Sequence, residues 1–180
     1  MMKDNSIRRK HSHSDRDKIY TPEDIAKRLI AKIPVDIEND TMGDPCKGSG
    51  AFFNNFPVCA DHKVYWELDE GKDFLKDGFK VDWQVTNIPF SMPKEFIFAM
   101  AENCNKGFGI LCLSNSMTVT RLKKLETMGL YVNSITSVYI KEWGFGYKTD
   151  FYVFTKERNK FFEAIIHEKQ NESLIKEVRT

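Results

Sequence analysis

The sequence predicts an α/β domain built on a mainly parallel sheet, and three observations predict it. Strand-like and helix-like segments alternate through the middle of the chain. Segment 108–113 (Phe-Gly-Ile-Leu-Cys-Leu) is almost wholly apolar, as a strand buried on both faces should be. The last two strand segments, 134–140 and 150–155, lie only about ten residues apart. That is too short for a helical crossover, so this pair is expected to be an antiparallel hairpin.

The elements follow in order. Residues 1–18 are polar and charged with no hydrophobic period, and read as a flexible basic tail. His11 and His13 lie in that tail and read as solvated side chains; no metal site is expected. Residues 19–180 read as one domain. Thr21 is the expected N-cap of a first helix and Pro22 its first helical residue, with Glu23 and Asp24 at the positive end. Ile25, Ala26, Leu29 and Ile30 form its apolar stripe, and Pro34 ends it. A strand at 41–43 runs into Asp44-Pro45-Cys46-Lys47-Gly48-Ser49-Gly50, and Ala51-Phe52-Phe53 is expected to open a helix. Strands are expected at 63–68 and 81–86. Helices are expected at 93–103, with Phe96, Ile97 and Met100 on one face, at 120–128, and at 158–176. No internal repeat is visible.

Composition narrows the function. The chain has 180 residues, 41% of them hydrophobic and 13% aromatic, enough for a core. No apolar run approaches the roughly 20 residues of a membrane span, and the charged start has no apolar stretch behind it, so the expectation is a cytoplasmic protein. The formal net charge is +1, too low for a dedicated nucleic-acid coat but compatible with an enzyme that holds nucleic acid briefly. The charge is uneven: residues 1–18 carry six bases and three acids, leaving −2 on the rest. The four cysteines (Cys46, Cys59, Cys104, Cys112) form no C-x-x-C pair and read as reduced, mostly buried thiols.

Three places could carry chemistry. The glycine-rich turn at 44–50 lies between a strand and an expected helix, where backbone N–H groups can approach an anionic ligand closely. In open α/β sheets such a crevice binds nucleotides. The spacing excludes a phosphate-binding P-loop. Glu67 ends the second strand seventeen residues after Gly50, placed to bond two ribose hydroxyls. Asn87-Ile88-Pro89-Phe90 directly follows the strand at 81–86. An exocyclic amine is a poor nucleophile because its lone pair is delocalised into the ring. An amide oxygen and a backbone carbonyl can accept its two hydrogens and draw the nitrogen toward a tetrahedral form. An aromatic ring can hold the base by stacking, worth roughly 1–3 kcal/mol.

Read together, these residues resemble the amino-group DNA methyltransferases that use S-adenosylmethionine, and most closely the adenine-N6 class. Tyr20-Thr21-Pro22 resembles that family's Y-T-P element, residues 44–52 its D-P-x-x-G-S-G-x-F cofactor loop, and residues 86–91 its N-P-P-F catalytic loop. The resemblance spans roughly residues 18–155. It implies a Rossmann-like class I methyltransferase fold and transfer of a methyl group to the exocyclic N6 amine of adenine in DNA. It implies that Tyr20, Thr21 and Pro22 meet the methionine end of S-adenosylmethionine, and that Asp44, Cys46, Gly48 and Gly50 form the cofactor floor. It gives Glu67 to the ribose, and Asp73 and Phe74 to the cofactor adenine. Asn87 and the Ile88 carbonyl would accept the amine hydrogens, Pro89 would stiffen the loop, and Phe90 would stack on the base, flipped out of a duplex.

The sequence also departs from the family. Ile88 replaces the family's usual proline, which keeps the carbonyl but gives up rigidity. Only five residues separate Glu67 from Asp73 where the family usually has a helix. A reduced fold lacking the helix between strands 2 and 3 is therefore expected. No separate target-recognition domain is visible, so specificity would either be low or come from loops, a second copy or another subunit. Arg121 and Lys123 are candidates for phosphate contacts. Trp143, Phe145, Tyr147 and Lys148, in the hairpin loop, are candidates for the far face of a flipped base. RNA bases or a protein glutamine amide suit the same loop chemistry, and an inactive supporting subunit is a reading of another class.

Overall fold

The computed structural model describes residues 19–143 and 148–158. The tail at 1–18, the helix expected at 158–176, and Phe145 and Tyr147 lie wholly or almost wholly outside these residues.

Six strands form one sheet: β1 Met42–Asp44, β2 Lys63–Tyr65, β3 Val81–Asn87, β4 Cys104–Leu113, β5 Tyr131–Val138 and β6 Thr149–Thr155. Their order is β2-β1-β3-β4-β6-β5. The first four run parallel, and β6 lies antiparallel between β4 and β5. The expected parallel sheet with a closing antiparallel hairpin is thus present. The α-helices are α1 Glu23–Ile30, α2 Phe74–Asp77, α3 Pro93–Glu102 and α4 Val119–Thr127.

Alternation along the central strands builds a core on each face. On β4 and β6, Phe108, Ile110, Cys112, Tyr152 and Phe154 point to the side covered by α2, α3 and α4. Leu111, Phe151 and Val153 point to the other side, covered by α1 and the chain between β1 and β2. Helix α1 presents Ala26, Leu29 and Ile30 to that second core, as its stripe predicts.

Two local expectations are corrected. Pro22, in extended backbone (φ −58°, ψ 144°), is itself the N-cap of α1, and its carbonyl accepts from Ala26 N at 3.0 Å. The Thr21 side chain makes no cap bond; it is buried elsewhere. Ala51-Phe52-Phe53 opens no α-helix. Asn54, Asn55 and Pro57 leave too few helix-favouring residues, and the segment settles into a 3₁₀ turn, Phe53–Asn55. Phe52, Phe56 and Val58 cover the sheet in its place.

The reduction between strands 2 and 3 is borne out. A 3₁₀ turn, Leu68–Glu70, follows Glu67, and α2 is a single helical turn. The other differences are of extent. β2 stops at Tyr65 because Trp66 turns into the core, whereas β4 and β5 begin several residues earlier than expected.

Candidate active site

From β1 the chain moves to β2 on one side, then returns past β1 to form β3 on the other. The ends of β1 and β3 therefore flank a topological switch point, where open α/β sheets leave a crevice. Asp44 ends β1 and Asn87 ends β3. The crevice is lined by Ile19–Thr21, by Cys46, Lys47, Gly48, Ser49, Ala51 and Phe52, by Glu67 and Asp69, and by Asn87 and Pro89.

The glycine-rich turn is shaped by hydrogen bonds. Trp66 N donates to Asp44 O at 2.9 Å and Lys47 N to Trp66 O at 3.0 Å, so the turn continues the β1–β2 pairing. Gly48 has φ +50° and Gly50 φ +86°, left-handed conformations that favour glycine. A Cβ on Gly48 would also come within 3.2 Å of the Tyr20 ring. Gly48 N donates to Glu67 Oε2 at 2.7 Å, and Asp69 N donates to Oε1 at 3.2 Å. Glu67 is thereby fixed at the rim, and each oxygen keeps further acceptor capacity.

Asp44 is buried at the end of β1. Oδ1 accepts from Cys46 N at 3.2 Å, while Oδ2 has no partner. Burial pushes its carboxyl up to about 7. Burial also pushes the Cys46 thiol well above its ordinary range, with Asp44 and Glu67 adding to the effect.

Asn87 is oriented by its own amide. Nδ2 donates to the Ile19 carbonyl at 3.0 Å. A carbonyl only accepts, so the NH₂ must face it and Oδ1 must face the other way. That oxygen is buried and has no partner. Thr21 Oγ1 is in the same condition. Three buried oxygens without a hydrogen-bond partner (Thr21, Asp44, Asn87) thus lie one on each of the three segments expected to form the site, and each such oxygen is costly to leave unpartnered.

Beyond Asn87, Ile88 is buried and its N–H donates to Leu111 O at 3.3 Å. Pro89 O accepts from Met92 N at 3.2 Å, closing the turn into α3. The half-buried Phe90 ring meets the Trp143 ring edge-on, with centroids 5.9 Å apart.

The structure brings Tyr20, Thr21, Cys46, Gly48, Glu67, Asn87 and Pro89 together on one crevice, and Asp44 lies buried at the end of β1, two residues before Cys46. Other expected residues stand apart. Asp73 caps α2 through Leu75 N at 3.1 Å and pairs with Lys76. Phe74 is buried against Trp66 and Phe96. Neither lines the crevice. Arg121 bonds the Ser116 carbonyl, and Lys123 is exposed on α4. Lys148 is exposed, and its carbonyl accepts from Ser114 N at 2.9 Å. Trp143 is buried and donates its indole N–H to the Tyr20 carbonyl at 2.9 Å. Ile19, Lys47, Ser49, Ala51, Phe52 and Asp69 also line the crevice and were not singled out as site residues. Ile19 contributes a backbone carbonyl, which no residue type signals. Asp69 could have been found as a second acid just past Glu67.

No family model and no curated protein matches this chain. Solved structures do match. A candidate RNA methyltransferase from Pyrococcus horikoshii aligns with TM-score 0.58 and 19% identity over 75% of this chain and 84% of its own. The M protein of the type I restriction enzyme EcoKI aligns with TM-score 0.59 and 15% identity over 77% of this chain and 44% of its own. Magnesium protoporphyrin IX methyltransferase from Synechocystis, with bound S-adenosylmethionine, aligns with TM-score 0.54 and 8% identity over 75% of this chain and 79% of its own. The fold is that of a class I methyltransferase. The sheet with its flanking helices agrees with the fold that the sequence predicts. Among the described residues no helix is long and apolar enough to cross a membrane, and no group of side chains could hold a metal.

Proposed function

We propose that this protein transfers a methyl group from S-adenosylmethionine to the exocyclic N6 amine of adenine in DNA. The observation that carries the reading is Asn87 Oδ1: buried, unpartnered, and aimed by the Ile19 bond at the end of β3 beside the glycine-rich crevice. The resemblance of the Y-T-P, D-P-x-x-G-S-G and N-x-P-F elements supports the substrate. So does the fold shared with a restriction-modification M protein.

The residues present fit the cofactor. The Asp44 carboxylate and Thr21 hydroxyl have open capacity for a polar end, Glu67 suits paired hydroxyls, and Gly48 leaves backbone room. Asp73 and Phe74 are assigned to the cofactor adenine by resemblance alone. When bound, S-adenosylmethionine supplies an electrophilic methyl carbon on a sulfonium.

Asn87 Oδ1 and the Ile88 carbonyl accept the two amine hydrogens. This localises the lone pair on nitrogen so that it can attack. The nitrogen that gains the methyl group would turn cationic and would release its extra proton to solvent. Preorganised acceptors stabilise that charge without reorganising. Phe90 holds the base by stacking. Arg121 and Lys123 are the candidates for phosphate contacts, and Lys148 for the far face of the flipped base.

Incubation with methyl-labelled cofactor and DNA, RNA or protein extract, followed by nucleoside analysis, tests the reading. N6-methyladenine in DNA is expected. Label confined to RNA or to protein glutamine would replace the substrate, and cofactor uptake with no transfer to any of the three would make the chain a supporting subunit.

A further inference from the structure

We infer that Trp143 is a positioning residue that holds the cofactor side and the target-base side of the crevice in one arrangement; this rests on the methyl-transfer reading above. Trp143 does not line the crevice, yet it touches both sides. Its indole N–H donates to the Tyr20 carbonyl at 2.9 Å. Its ring meets Phe90 edge-on at 5.9 Å. It is 7% exposed, packed in the core under α1.

The contact with Tyr20 matters because of what residues 19–21 do. Ile19 O takes the Asn87 amide and so aims Oδ1. The Tyr20 ring lies over Gly48. Thr21 lines the crevice, and its hydroxyl is buried and unpartnered. The segment has no sheet or helix pairing of its own, as it precedes α1. Two side chains from distant parts of the chain, Asn87 and Trp143, hold its first two carbonyls. Losing the Trp143 bond would let Tyr20 lift from the glycine turn and loosen the Ile19–Asn87 contact. Losing the ring would free Phe90 as well. Misplacement of groups by small distances is enough to slow a transfer that needs alignment.

Two variants separate these contributions. Trp143→Phe keeps an aromatic ring near Phe90 and removes the N–H. Trp143→Leu removes both. Affinity for S-adenosylhomocysteine is read by calorimetry, and transfer to DNA by labelled methyl, well below each variant's melting temperature. Trp143→Phe is expected to weaken affinity about fivefold, the worth of one ordinary hydrogen bond, with its kinetic effect mainly in the cofactor KM. Trp143→Leu is expected to show the same loss of affinity and, at saturating cofactor, a further fall in rate of about tenfold. A residue that only fills the core would lower the melting temperature of both variants and leave affinity and saturated rate at wild-type values. That result overturns the inference.

Failure of the underlying reading looks different: the wild-type protein itself would neither bind S-adenosylhomocysteine nor transfer label. The clamp is read separately, with no ligand, from the amide resonances of Tyr20 and Thr21. They should move in Trp143→Phe, and unmoved resonances would refute the contact.

Discussion

Asp44→Asn gives the most quantitative perturbation of the site. The carboxyl is buried with one oxygen unpartnered, and burial raises it from 3.8 to about 7. Below pH 3.8 the folded and unfolded chains both hold this proton, and the group's contribution to stability is fully present. Between that pH and about 7 the unfolded chain has released the proton while the folded chain keeps it. Stability therefore falls as pH rises, and the loss is complete above about pH 7. Across pH 5 to 8 the difference in bound protons integrates to about 1.9 pH units, or about 2.6 kcal/mol at roughly 1.4 kcal/mol per unit. Asparagine keeps the shape and an acceptor for Cys46 N but has nothing to titrate. Denaturant unfolding at both pH values, for both proteins without cofactor, gives a double difference in which all other groups cancel. The wild-type protein should lose about 2–3 kcal/mol more than Asp44→Asn on going from pH 5 to pH 8. Equal losses would show that Asp44 is ionised in the folded protein at both pH values, and the buried-carboxyl account would fail. Asp44→Asn should also weaken S-adenosylmethionine binding at pH 8, where the wild-type carboxylate is charged and able to receive a cationic group.

Two further outcomes follow from particular distances. Glu67→Ala strips the acceptor from Gly48 N and Asp69 N, and should weaken cofactor binding by about tenfold, on the order of one charge-assisted hydrogen bond; unchanged affinity in calorimetry would remove Glu67 from the site. Gly109→Ala places a Cβ 2.5 Å from Phe151 Cζ and 2.6 Å from Ile33 Cδ1. It should destabilise the fold by about 1–3 kcal/mol through overpacking, and a melting temperature equal to that of the wild-type protein would contradict the packing of Ile33, just after α1, and Phe151 against β4.

What the sequence showed depended on how local the signal was. Strand 108–113 and the closing hairpin were legible because an apolar run and a short connection each admit few structures. The glycine turn and Asn87 were legible because residue type and position both matter there. Thr21 misled: its hydroxyl suits a cap, but here it is buried and makes no cap bond, and only tertiary packing makes that choice. Ala51-Phe52-Phe53 misled similarly, since a helix and a covering loop can bury the same apolar side chains. The contacts that aim the site could not be read at all. Asn87 to Ile19 and Trp143 to Tyr20 end on backbone carbonyls, 68 and 123 residues away in sequence, and any residue type would offer the same acceptor.

The central claim is that the Asn87 oxygen accepts a hydrogen of the target amine and takes no part in holding the cofactor. Single-turnover transfer by Asn87→Ala, measured with labelled S-adenosylmethionine on DNA beside calorimetry of cofactor binding, tests it most directly. The account predicts a loss of transfer of about 100-fold or more with cofactor affinity nearly unchanged. Full transfer by the variant would contradict it.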